Sequence, residues 1–208
     1  MTPLAQFESV WNRCAVLSTL HAYLEKNVSA VMQPDELLRA EWVARVSALD
    51  LYIHELVAQA MLAIFEGRRL PSPAYLKFQV STETLNRIRS ASTPSDASAA
   101  FDLYVRGHLS LITYQAPEDI ADGVRLCSPI ELWNEVAIRL GATPSTKIEK
   151  GKVLKRELSL VIRRRNAIAH EGDLQQSPLR EPWPISRADL AFVADHIERL
   201  VKAIDTVV

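Results

Sequence analysis

One segment limits the possible folds more than any other. Pro34, Asp35 and Glu36 open a helix in the expected way, with proline in the first turn and acids near the positive end of the helix dipole. The helical pattern then runs to about Glu66, where Gly67 reads as the residue past its C-terminus. Two apolar stripes follow this length, Trp42, Leu49 and Leu56 on one line and Val43, Val46, Ile53, Val57 and Ile64 on another. A helix that long, apolar over so much of its circumference, belongs at the centre of a bundle and not on its surface.

The rest of the chain supplies partners for such a helix. Leu4, Phe7, Val10, Trp11, Cys14, Leu17 and Leu20 recur at helical spacing and predict a helix over roughly 4–26. Ser81 could cap a short helix through Arg89, and about 96–114 reads as another. Ser128-Pro129-Ile130-Glu131 has the form of a capping box and predicts a helix that Gly141 ends. A strong helix is expected from about Lys147 to Glu171, closed by Gly172, and Ser186 to Asp189 open a last one. No strand pair, repeat or domain boundary is visible, and only 6 glycines occur. The expectation is an all-α bundle forming one domain over residues 1–208.

Charge and cysteine content narrow the function. With 24 basic and 25 acidic side chains the formal charge is −1, so any nucleic-acid role must rest on a local patch. Cys14 and Cys127 make neither a disulfide framework nor a metal set, and His21, His108 and His196 lack a second ligand at useful spacing. No metal or cofactor is expected. The N-terminus lacks the basic region and apolar run of a signal peptide, and no uninterrupted apolar stretch approaches a membrane span. The expectation is a soluble protein of the reducing cytoplasm.

The chemically suggestive segment is Arg163-Arg164-Arg165-Asn166-Ala167-Ile168-Ala169-His170-Glu171-Gly172-Asp173. On a helix, Arg165 falls within the Leu154, Leu158, Val161, Ile168 stripe, whereas Asn166 and His170 lie one turn apart on another face, near Arg163. A guanidinium on an apolar stripe needs a carboxylate, a partner chain or a phosphate. Between Lys147 and Arg165 eight basic residues, Lys155 among them, stand against Glu149 and Glu157. Asp50 is equally misplaced on the long helix, at the centre of its Val43–Val57 stripe, with His54 one turn on. Two opposite charges on two core helices predict that Asp50 and Arg165 meet.

The run Arg165-Asn166-Ala167-Ile168-Ala169-His170 resembles the Arg-x-x-x-x-His signature of the HEPN superfamily. The segment Val46–Leu56 and Leu132-Trp133 resemble the branch named after ribonuclease L and its prokaryotic relatives. The resemblance implies a helical bundle that dimerises through the motif helix, and metal-independent endoribonuclease chemistry in a toxin–antitoxin, anti-phage or stress-response system. Within it, Arg165, Asn166 and His170 are the implied catalytic residues, cleaving RNA by 2′-hydroxyl attack. Asp50 and His54 are expected to support them, and Lys155, Arg163 and Arg164 to contact RNA. A homodimer and an antitoxin or defence-system protein are the implied partners. The alternative is a non-catalytic module binding RNA, a nucleotide or a protein. Gly172 stands where one subgroup carries a tyrosine two residues after the histidine, so tyrosine AMPylation is not expected.

Overall fold

The computed structural model describes residues 1–27 and 33–208. Among them eight α-helices form the fold: α1 (Pro3–Asn27), α2 (Asp35–Phe65), α3 (Thr82–Arg89), α4 (Pro94–Leu109), α5 (Pro117–Cys127), α6 (Leu132–Arg139), α7 (Lys147–Glu171) and α8 (Arg187–Val207). A single isolated bridge between Leu174 and Pro182 accompanies them. The architecture is all-α.

α2 is the hub, in contact with α1, α4, α5, α7 and α8. Both of its apolar stripes are used: Val46, Leu49, Ile53 and Val57 have no exposed surface, and Trp42 and Leu56 are buried. By length and composition α2 could also cross a membrane, yet half of its most apolar window is buried against neighbouring helices. The core it anchors draws on Phe7 and Trp11 of α1, Phe101 and Val105 of α4, Leu158 and Val161 of α7, and Ile197 and Ile204 of α8.

Charges also enter α2's buried face. Glu41 is fully buried, held by Ser18 and by Arg45, whose Nε donates to it at 2.8 Å. The Arg45 guanidinium lies 4.3 Å from the Trp11 ring centroid, so the cation is covered by an aromatic face instead of water. The pair ties α1 to α2.

Three boundaries differ from the sequence expectation. α4 ends at Leu109 instead of near Tyr114, because the chain turns away to place Tyr114 and Gln115 against α2. α5 was not foreseen, although Pro117 at its first turn followed by Glu118 and Asp119 is a helix-start signal, and Ile120, Val124 and Cys127 form its buried side. The capping box at Ser128 is not used as one. Ser128 terminates α5 with extended backbone, and α6 begins only at Leu132, with no side-chain cap. His21 and His196 are buried.

Candidate functional site on the outer face of α7

α7 buries Gly151, Leu158, Val161 and Ile162 against the bundle. Gly151 permits a close crossing with α6, since a Cβ there would stand 3.1 Å from the Trp133 carbonyl. The indole of Trp42 donates to the Val161 carbonyl at 3.1 Å, which fixes α7 on α2. At its end Gly172 adopts φ +67°, and the amides of Gly172 and Asp173 turn back to the Ala167 carbonyl. A side chain at Gly172 would strain that conformation, so the residue closes the helix just after His170.

With one side buried, the other is left as a continuous outer strip. Lys152, Arg156, Arg163, Asn166 and His170 are all exposed and follow one another at helical spacing. Lys152 is paired with Glu149 at 2.8 Å, and Lys155 faces Glu118 at 3.6 Å. These two lysines also line a cleft of about 430 Å³ between α5, α6 and α7. The strip therefore runs from that cleft to the C-terminal turn that carries His170.

The three consecutive arginines separate. Arg163 is exposed on the strip. Arg165 is half-buried and donates through Nη1 to Asn166 Oδ1 at 2.9 Å, while its Nε is buried without a partner. Arg164 is the one drawn into the fold. Its Nη2 reaches Asp173 Oδ2 at 2.7 Å and the carbonyls of Pro184 and Trp183 at 3.1 and 3.3 Å, and its guanidinium lies 5.8 Å from the Trp42 ring centroid. These three acceptors all bond Nη2, and 25% of the Arg164 side chain remains in solvent.

Asp173 is the residue that sequence reasoning missed. It is fully buried, adopts φ +56°, and binds two guanidiniums through one oxygen, with Arg39 Nε at 3.0 Å beside Arg164. Arg39 also donates to the Trp183 carbonyl at 2.6 Å and to Glu36 at 3.1 Å. This buried cluster joins α2, the end of α7 and the segment leading to α8. The Gly172-Asp173 pair following the histidine was the available signal, as was Arg39 one turn before the apolar Trp42.

The expected Asp50–Arg165 contact does not form. Asp50 accepts from the Tyr114 amide at 2.6 Å and from Gln115 Nε2 at 3.1 Å, with His54 Nε2 3.5 Å away. Its misplaced charge is satisfied by the loop before α5. Burial pushes the Asp50 carboxyl up, and the hydrogen bonds from His54, Gln115 and Tyr114 outweigh it, so its pKa lies below the ordinary value. His54 packs edge-on against Tyr114, ring centroids 4.8 Å apart, within this same cluster. Asp50 and His54 thus pin the Tyr114–Gln115 loop to α2.

Among the described residues no group of three or more His, Cys, Asp or Glu side chains is arranged to hold a metal ion. The strip itself offers an imidazole, a carboxamide one turn away, and a guanidinium bound to that carboxamide. Comparison with curated proteins and with solved structures gives no match. Comparison with protein families does, over residues 12–208, to the family described as RiboL-PSP-HEPN. The all-α bundle agrees with that match, and the chain belongs to this HEPN family of ribonuclease L and its prokaryotic relatives.

Proposed function

We propose that the protein is a metal-independent endoribonuclease whose active groups are Arg165, Asn166 and His170. The observation that carries this reading is their arrangement at the end of α7: His170 is exposed, Asn166 stands one turn before it, and Asn166 is hydrogen-bonded to Arg165. His170 takes the proton of a ribose 2′-hydroxyl, and the freed oxygen attacks the adjacent phosphorus. The 5′-oxygen leaves with a proton, giving a 2′,3′-cyclic phosphate and a 5′-hydroxyl. Arg165 neutralises charge that builds on the phosphoryl oxygens, and Asn166 orients the guanidinium. Arg163 and Lys155, with Lys152 and Arg156, supply the cationic track for the backbone.

Two proton transfers are needed, and one His170 per chain suits one of them. The reading therefore includes a two-fold dimer in which the α7 ends of two copies face each other, each contributing a histidine. A toxin–antitoxin, anti-phage or stress-response system, with a cognate antitoxin or defence protein in the cytoplasm, is the setting that fits such an activity.

The test is incubation of purified protein with total RNA in EDTA. Wild type is expected to fragment the RNA, and His170→Ala and Arg165→Ala to leave it intact. Cleavage by both variants at the wild-type rate would overturn the site. RNA binding without cleavage by wild type would make the chain a non-catalytic module. A stable, fully active monomer in light scattering would overturn the dimer.

A further inference from the structure

Of the four tryptophans, Trp11, Trp42 and Trp133 are each 8% exposed, whereas Trp183 is 48% exposed. An exposed aromatic on a surface loop ordinarily needs no explanation, but the backbone beneath this one is unusually restrained. The Trp183 amide donates to the Asp173 carbonyl at 2.7 Å, and its own carbonyl accepts from Arg39 at 2.6 Å and Arg164 at 3.3 Å. Pro182 and Pro184 flank it, each with a fixed φ. Before it the chain doubles back, with Gln175 donating to the Glu181 carbonyl at 2.9 Å and Leu174 bridged to Pro182. A buried ion cluster is thus used to fix the main chain of a residue whose ring stays half in solvent.

That ring is close to the proposed active groups. Asp173 is three residues after His170 and is hydrogen-bonded to Trp183. The His170 and Trp183 Cα atoms are therefore at most about 17 Å apart, from three 3.8 Å steps and one paired-backbone spacing. At 3.4 Å or more per nucleotide, that is no more than about five nucleotides along a strand.

We propose that Trp183 is a stacking platform for an unpaired base of the RNA whose backbone lies along α7. This rests on the ribonuclease reading, and it specifies the substrate as single-stranded, because a paired base does not offer its face. Arg163 on α7 and Arg180 in the same loop, both exposed, are available to phosphates flanking a stacked base, with the exposed carboxylates of Glu171 and Glu181 among them. Leu179, exposed at the loop tip, makes a second copy of this chain the competing occupant.

The experiment uses the intact protein and a mixed-sequence 2′-O-methyl oligonucleotide, which binds but lacks the attacking hydroxyl. Wild-type fluorescence should show one acrylamide-accessible tryptophan, absent in Trp183→Phe, that the oligonucleotide protects or quenches. Trp183→Ala should weaken binding roughly 5- to 150-fold, the loss of one base–aromatic stack. Trp183→Phe, which keeps a ring, should recover most of it. Both variants retain the main-chain bonds that hold the loop, and circular dichroism would verify their folding. Equal affinity of wild type and Trp183→Ala, with RNA cleavage intact, would overturn the platform alone. Dissociation of a dimer by Trp183→Ala without a change in RNA affinity would also overturn it and assign the ring to the subunit contact. Failure of the wild type to bind or cleave any RNA would overturn both readings.

Discussion

Asp173→Ala should be among the most damaging single substitutions in the chain outside the apolar core. The carboxylate is fully buried, and its two partners keep only 8% and 25% of their side-chain surface in solvent. Removing one member of a buried ion group typically costs about 3–5 kcal/mol, mostly because the remaining charges are stranded. Here both guanidiniums keep other acceptors: Arg39 has Glu36 and the Trp183 carbonyl, and Arg164 has two carbonyls and the Trp42 ring. The cost therefore belongs at the lower end, about 3 kcal/mol. In urea denaturation, with a slope of about 2–3 kcal/mol/M, the midpoint should fall by about 1–1.5 M. The companion variant Arg39→Met, combined with Asp173→Ala, should cost less than the two single changes summed, since each removes the other's partner. A midpoint within about 0.2 M of wild type for Asp173→Ala would show that the cluster carries no stability, and the reasoning that it anchors the end of α7 would fail with it.

Burial lowers the pKa of His196, which is 2% exposed with Nδ1 3.5 Å from Glu157, below its ordinary value of 6.5. The unfolded chain then binds the proton more readily, so stability is fully present above about pH 6.5 and declines as pH falls below it. His196→Gln should flatten that part of the stability–pH curve between about pH 5 and 7, and an unchanged slope would refute the assignment. Gly123→Ala would place a Cβ 2.6 Å from Cε1 of Tyr114, a ring that is 2% exposed, and should cost about 1–3 kcal/mol in thermal or urea unfolding. Burial raises both thiols, Cys127 to about 11, so Cys14 and Cys127 should react slowly with Ellman's reagent in the native state and promptly in urea.

What could be read from sequence was whatever periodicity records. The two stripes of α2 predict its central place, and Gly67 and Gly172, with φ +73° and +67°, mark the ends of α2 and α7 as their positions suggest. Contacts made by returning loops leave no such period. Asp50 is misplaced on its stripe as the pattern shows, but its partners are the Tyr114 amide and Gln115, more than sixty residues on. Likewise the pattern assigns Arg165 to the buried side of α7, but the fully buried run there ends at Ile162. Beyond it, the loop through Asp173 and Trp183 decides burial, and it covers Arg164. The outer position of Asn166 and His170 was legible from helical phase alone, since a hundred degrees per residue sets both away from Leu158 and Val161.

The central claim is that the Arg165–His170 end of α7 cleaves RNA through the 2′-hydroxyl. End-group analysis of the products formed in EDTA tests it most directly, using a labelled single-stranded RNA and the same RNA with 2′-O-methyl groups throughout. The account predicts 2′,3′-cyclic phosphate and 5′-hydroxyl ends from the unmodified strand, none from the methylated strand, and none from His170→Ala. Products bearing 5′-phosphate, or cutting of the methylated strand, would contradict it.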